Sequence, residues 1–315
     1  MRDAAATLLC ITPSPAIDRT AYVERITQGE VLRPLQVMAL PGGKGVNAAR
    51  AAARLGGSVM TTGIAGGHAG RWIVEALTRE GLDPHWSLAA AESRTTYVTV
   101  DRSGVAVIVY EQPAPATDEE FASFLRLLED ELLPACERAI VAGSIPAGVD
   151  PSGHGDIVAA CRRAGRPLLV DASGTGLLAS LEAHPDVVKI GLLEAIEAGL
   201  VSAAASTLDA AITLVDEGAG MAVVTDGARE VAAADARHTW QVAVPAVAAI
   251  NAVGSGDAFN AAFSLALMAD AVIETALAYG VAAGSANALA LGAGKLDPAV
   301  VRRLEPEIAV RTARR

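Results

Sequence analysis

Short apolar runs alternate with longer amphipathic stretches through most of this chain. The runs at 7–11, 59–62, 139–142, 168–170, 187–190 and 222–225 are brief and rich in Val, Ile, Leu and Ala, which predicts buried strands. Between them, 71–80, 119–132, 156–164 and 208–217 read as helices. Alternation of this kind is the pattern of a mostly parallel α/β sheet. Two segments break it. The stretches 20–40 and 95–109 read as exposed β pieces, with turns at Gly29 and at Ser103-Gly104. Apart from general Ala richness there is no repeat and no low-complexity linker.

Composition narrows the classes. A chain of 315 residues, 52% hydrophobic and only 19% charged, can bury a sizeable core and is expected to fold as a globule. Its net charge of −11, with basic residues gathered only at 311–315, argues against a nucleic-acid partner, and that tail reads as a solvated end. Cys10, Cys136 and Cys161 show no metal or redox spacing, which suits a reducing cytoplasm. The histidines, His68, His85, His154, His184 and His238, are scattered without a ligand-like pair. No apolar run approaches the length of about 18 residues that a membrane helix needs. Arg2 followed by the apolar run 4–11 imitates a short signal peptide. Pro13, Pro15 and Asp18 follow it where a cleavage region would stand, so the run is read as a first core strand.

The most informative segment is Asn251-Ala252-Val253-Gly254-Ser255-Gly256-Asp257, running into the apolar stretch Ala258-Phe259-Asn260-Ala261-Ala262-Phe263. Gly and Ser allow a tight turn into a helix start, where backbone N–H groups and the helix dipole favour an anion. The carboxylate of Asp257 follows at once. An anion cradle beside a base is what moving a phosphoryl group onto a hydroxyl requires. The segment is not a dinucleotide fingerprint, because Phe259 stands where a third glycine is needed.

A second glycine cluster, Pro41-Gly42-Gly43-Lys44-Gly45-Val46-Asn47-Ala48-Ala49-Arg50, opens a helix running to about Leu55. No Ser or Thr follows the lysine, so it is not a P-loop. Its glycines let a small polyhydroxylated ligand approach the main chain. Asn47 offers both donor and acceptor, and Lys44 a cation.

With both clusters in this order the chain resembles the ribokinase-like (PfkB) carbohydrate kinases. Within them it is similar to the hexose-phosphate kinase branch of 1-phosphofructokinase, tagatose-6-phosphate kinase and the minor bacterial 6-phosphofructokinase. The resemblance covers nearly the whole chain. It includes Ile11-Thr12-Pro13-Ser14-Pro15-Ala16-Ile17-Asp18, Gly143-Ser144-Ile145-Pro146-Ala147-Gly148-Val149, Val170-Asp171-Ala172-Ser173-Gly174 and Gly280-Val281-Ala282-Ala283-Gly284-Ser285-Ala286-Asn287.

The resemblance implies an α/β fold: a three-layer α/β/α sandwich with a mostly parallel sheet, forming one kinase domain over 1–315. A small β-sheet lid would come from about 19–41 and 94–110, its apolar Val98, Val100, Val107 and Val109 covered by a second lid in a homodimer. ATP and Mg²⁺ are the implied cofactors and the cytoplasm the implied location. By the same resemblance Asp257 is the catalytic base and the backbone of Gly254, Ser255 and Gly256 the anion hole. Asp18, Gly42, Gly43, Lys44 and Asn47 hold the sugar. Lys189, Thr225, Gly227 and Asn287 belong to the nucleotide side, and Glu194 acts on the metal through water.

Three departures from the family pattern bear on substrate and donor. The arginine that grips the substrate's own phosphate is replaced, since the chain reads Thr95-Thr96-Tyr97-Val98. Arg94, two positions earlier on the same strand face, Arg33 and Lys44 are the candidate replacements. Lys189-Ile190-Gly191-Leu192-Leu193-Glu194 lacks the usual asparagine, and Gly227-Ala228-Arg229-Glu230 puts an acid where a glycine is usual. The leading expectation is a kinase of a ketohexose phosphate. A kinase of an unphosphorylated sugar or nucleoside is favoured by Thr96. A weakly active sugar-binding protein on the same scaffold is favoured by Gly191 and Glu230.

Overall fold

The computed structural model describes residues 6–315, so the first two positions of the apolar run 4–11 lie outside the described residues. β1 (Thr7–Thr12) leads to β2 (Ala16–Val23), β3 (Gln36–Gly42), α1 (Lys44–Arg54), β4 (Ser58–Gly66), α2 (Gly67–Arg79), β5 (Asp83–Pro84) and β6 (Ser87–Ala89). β7 (Arg94–Asp101) and β8 (Ala106–Tyr110) precede α3 (Asp118–Leu127), which passes through a π-helical turn (Leu128–Leu132) into α4 (Leu133–Ala135). Then come β9 (Arg138–Ala142), α5 (Gly153–Arg163), β10 (Leu168–Asp171), α6 (Gly174–Glu182), β11 (Val187–Gly191), α7 (Leu192–Glu197), α8 (Thr207–Asp216) and β12 (Met221–Thr225). β13 (Glu230–Asp235), β14 (His238–Ala243), α9 (Ser255–Met268), α10 (Ile273–Ala288), α11 (Pro298–Leu304) and β15 (Val310–Arg314) complete the chain.

The large sheet runs β15-β14-β13-β12-β11-β10-β9-β1-β4-β5, with β6 also on β4. Pairs from β12 to β5 are parallel, while β13, β14 and β15 extend the edge antiparallel. Successive side chains of a strand face opposite sides, and β1 shows what that does here. Leu8 and Cys10 join a core with α1, α2, α9, α10 and α11, whereas Leu9 and Ile11 join one with α3, α5, α6, α7 and α8. Both faces of the sheet are therefore covered by helices, which is the expected three-layer α/β arrangement. All the strands expected from apolar runs are present. β13 to β15 went unread, and the basic tail is a paired edge strand, with Thr312 bonded to Glu274 and Arg315 paired with Asp216.

The two irregular segments form a separate four-stranded sheet, β3-β2-β7-β8. β2 starts at Ala16, so Asp18 lies in a strand, beside Thr96 of β7 and Leu40 of β3. Thr20, Met38, Val98 and Ile108 line a cleft on the sheet's inner face, together with Val100. Val98 and Val100 thus differ from expectation, because their register turns them inward. Tyr97, Val107 and Val109 are exposed.

Candidate active site

α1 and α9 pack against each other, and both begin at the cleft without a side-chain cap. The first N–H groups of such a helix have no intrahelical acceptor. Gly254 caps α9 in the left-handed region (φ 84°), and Ala293 fills the space a Cβ there would need, so glycine is required twice over. Gly254, Gly256 and Asp257 line the cleft. Ser255 does not line it, and its N–H donates within the turn to Ala252 O at 3.2 Å. The cleft, about 590 Å³, lies at the carboxyl ends of the parallel strands, where open α/β sheets bind ligands.

At its floor, Asp257 is buried and accepts from Asn47 Nδ2 at 2.9 Å. Burial and the neighbouring charge of Asp171 push its pKa up to about 6, against the opposing Asn47 N–H, Lys44 and Lys189. At neutral pH it is ionised yet a stronger base than an ordinary carboxylate. Asp171, at the end of β10, is the hub of this floor. It accepts from Lys44 Nζ at 2.6 Å, Lys189 Nζ at 3.1 Å and Asn260 Nδ2 at 2.8 Å. Burial alone would raise its pKa, but Lys189 and Lys44 hold it below the usual carboxylate range. Lys44 also reaches Glu194 Oε1 at 3.2 Å. Burial opposes its charge, yet Asp171 and Glu194 raise its pKa above the ordinary lysine value. The ammonium of Lys189 fills the space beside Gly256 that a side chain would occupy, which brings a cation under the helix start.

The four-stranded sheet supplies the other wall. Burial raises the pKa of Asp18, while Arg50, the Thr96 hydroxyl that donates to it, and Arg94 act to lower it. Its carboxylate fills the Cβ space of Gly42, so Gly42 is packed under Asp18 and Gly43, not Gly42, lines the cleft. Arg94 also lines it. Its Nη2 makes a long contact of 3.3 Å with Ser144 Oγ and its Nη1 one of 3.4 Å with Glu111 O, while its buried Nε has no partner among the described residues. No carboxylate lies within ion-pair distance of it among those residues. Arg33 is elsewhere, in a separate depression of the 23–33 segment.

On the nucleotide side, Lys189 and Glu194 line the cleft. Gly191 N donates to Glu194 Oε2 at 2.9 Å, so the start of α7 fixes this carboxylate without the family's asparagine. Thr225, paired beside Gly191, and Gly227, in the following turn, stand next to that start but outside the cleft lining. Asn287 is fully buried, donating to Val253 O at 2.9 Å and accepting from Gly294 N at 2.8 Å. A buried amide must satisfy both ends, and this one fastens the turn entering α9 to the 292–295 loop instead of lining the cleft. Glu230 takes a hydrogen bond from Thr207 Oγ1 at 2.5 Å and is likewise outside the lining.

Sequence reasoning gave no role to Asp171, Asn260, Ser144 or Arg50. Two signals were present: a carboxylate closing a buried apolar strand, and an asparagine one helical turn beyond Asp257.

Backbone donors and a poised buried carboxylate at the strand ends of a parallel sheet are the equipment of a phosphoryl-transfer enzyme. The chain belongs to the pfkB family of carbohydrate kinases, whose pattern matches residues 6–299, and it is an ATP-dependent sugar kinase. Phosphofructokinase-2 from Escherichia coli in its tetrameric inhibited form superposes with a TM-score of 0.85 at 28% identity, over 96% of this chain and 99% of that one. The same enzyme in complex with fructose-6-phosphate gives 0.84 at 27%, over the same 96% and 99%. A possible 1-phosphofructokinase from Thermotoga maritima gives 0.88 over 98% and 99%, a likeness of fold at 22% identity.

Kinases of this family use ATP with a divalent metal. Among the described residues no three His, Cys, Asp or Glu gather to hold a metal ion. Glu194, a hard oxygen donor already oriented by Gly191, fits an ion carried on nucleotide phosphates and touched through water.

Proposed function

We propose that this enzyme transfers the γ-phosphoryl group of ATP, with Mg²⁺, to a hydroxyl of a ketohexose phosphate, fructose 6-phosphate or fructose 1-phosphate. The observation that carries the reading is Arg94: a guanidinium in the wall of the cleft whose buried Nε has no partner among the described residues, and which feels the charge of Asp18 without an ion pair to it. A cation held at a site without a direct ion pair favours an anion there. The likeness to phosphofructokinase-2 supports the same substrate class.

Bound ATP supplies the phosphoryl group, and the metal neutralises charge on it. Asp18 accepts sugar hydroxyls on the lid side, with Gly43 close by. Asp257 takes the proton of the attacking hydroxyl, and Asn47 holds the carboxylate in place through its 2.9 Å bond. The start of α9, at Gly254 and Gly256, faces the charge that develops on the transferring group, with Lys189 beneath. Glu194 would hold the metal through water.

The chain works as one kinase domain, and the inner faces of β2, β3, β7 and β8 close over the sugar to exclude water. Two such lids cover each other's exposed outer faces in a homodimer. Three buried free cysteines suit a cytoplasmic enzyme. A second reading, an unphosphorylated sugar or nucleoside as acceptor, is favoured by Thr96, whose hydroxyl serves Asp18 where the family's arginine stands.

ADP formation across a panel of sugars and sugar phosphates decides between them. Fructose phosphates turned over far better than free sugars are expected. Free sugars turned over better would establish the second reading.

A further inference from the structure

Arg50 sits three residues after Asn47 on the same face of α1 and is buried to 5% exposure. All five of its N–H donors are engaged. Nε donates to Glu80 Oε2 at 2.6 Å; Nη1 to Asn47 Oδ1 at 3.1 Å and Ala293 O at 3.0 Å; Nη2 to Pro41 O at 2.6 Å and Glu80 Oε1 at 3.3 Å. An amide has a donor end and an acceptor end. If the Asn47 amide were turned over, its oxygen would face the Asp257 carboxylate and its NH₂ would face the guanidinium. Both contacts would be repulsive. Arg50 therefore dictates which end of Asn47 meets the base. Its bond to Ala293 acts on the other half of the site, because Ala293 packs against Gly254 at the turn into α9.

We propose that Arg50 is a positioning residue for phosphoryl transfer, acting by orienting Asn47 toward Asp257. The inference rests on Asp257 being the base. Lysine cannot do this work, since a single ammonium cannot serve Glu80, Asn47, Ala293 and Pro41 at once. The groups facing Asp257 that set its titration are Asn47 and Lys44 from α1, Asp171 from β10 and Lys189 from β11. Among them only Asn47 touches Arg50.

The test compares wild type, Asn47→Ala, Arg50→Lys, the double variant and Asp257→Asn. Each is assayed from about pH 5 to 9 with ATP and fructose 6-phosphate or fructose 1-phosphate, whichever turns over faster, with thermal unfolding as the folding control. Arg50→Lys is expected to lower kcat by about ten-fold with little change in KM, and to move the acid limb to higher pH. Added to Asn47→Ala, it should cost less than about two-fold more in kcat and leave the acid limb unmoved. An unshifted acid limb in Arg50→Lys, or kcat losses that multiply independently in the double variant, makes Arg50 a structural pin and overturns the proposal. Should Arg50→Lys not fold, Glu80→Gln loosens the guanidinium from its far side, and an unmoved acid limb there has the same force. Undiminished kcat in Asp257→Asn would instead remove the base assignment itself, whatever the other variants do.

Discussion

The floor of the cleft and its lid wall solve the problem of charge in opposite ways. On the floor, the charged and amide groups are paired in two adjacent clusters: Asp171 takes Lys44, Lys189 and Asn260, and Asp257 takes Asn47. Its charged side chains are paired before any ligand arrives, and such pairing is rigid because breaking a pair leaves a buried charge alone. The lid is unfinished. Arg94 faces the cleft with no ion pair among the described residues, and on the outer side Tyr97 pairs with Val109 and Thr99 with Val107 in a face open to solvent. The floor satisfies its charges from within the chain, whereas the wall keeps a guanidinium toward the cleft and an apolar face toward solvent.

The largest effect is expected at the floor. Asp257→Asn keeps shape but cannot accept a proton, so kcat should fall about 10²–10⁴-fold with KM values little changed. A variant keeping more than about a tenth of wild-type kcat, with chemistry rate-limiting, would end the base assignment. The wild-type kcat/KM should decline as pH falls through about 6, where Asp257 takes up a proton. Stability should move the other way. The folded pKa is raised above the ordinary 3.8, so ionised Asp257 destabilises the fold above about pH 6, and the penalty vanishes on descending to the unfolded value. Asp257→Asn should thus be more stable than wild type at neutral pH, by on the order of 1–3 kcal/mol, and no more stable near pH 4. Denaturant melts at the two pH values check the sign.

Next in size is the contrast between cations. Arg94→Ala should raise KM for a fructose phosphate by about ten-fold or more, the effect of losing a charge-assisted contact, and leave a free sugar's KM unchanged. Lys44→Ala should behave differently. Its ammonium already belongs to Asp171 and Glu194, so the loss should appear in kcat and in melting temperature more than in KM. Arg33→Ala should leave a monomer's kinetics untouched, because Arg33 lies outside the cleft of its own chain. Equal KM effects from all three would erase the distinction between floor and wall.

The outer face of the lid gives a third test. Val109→Glu together with Val107→Lys places unlike charges on a patch that is 54% and 50% exposed at those residues. Light scattering at micromolar concentration should report a dimer for wild type and a monomer for the variant. A fully active wild-type monomer would show that the patch needs no partner.

What could be read in advance follows the same division. Gly254, Gly256 and Asp257 were legible because a sharp turn into a helix restricts residue choice locally. The strands were legible because burial on both faces leaves continuous apolar runs. β14 and β15 were not, since His238, Gln241 and Arg311 interrupt them with polar positions, and β13 was not because three of its four buried residues are alanines, which do not favour a strand. Lys44 was legible as a cation of the cleft, whereas its partners Asp171 and Glu194, far away in sequence, were not. Asn287 looked like a ligand residue for the same reason: its acceptor and donor, Val253 and Gly294, become neighbours only on folding.

The smallest effect concerns Glu230, an acid where the family pattern has a glycine under the nucleotide. By sequence it ought to repel a triphosphate. Its carboxylate instead accepts the Thr207 hydroxyl at the start of α8, and it does not line the cleft. Glu230→Gln keeps an acceptor oxygen and removes the charge. If repulsion operated, KM for ATP should improve markedly. With the carboxylate held by Thr207, KM for ATP should stay within about two-fold of wild type, and stability should fall by about 1 kcal/mol as a charge-assisted bond becomes a neutral one. Thr207→Val isolates the contact from the charge. It frees Glu230 to move, and should raise KM for ATP more than Glu230→Gln does. If both variants left nucleotide affinity and melting temperature unchanged, the Thr207 contact would have no part in sparing the nucleotide.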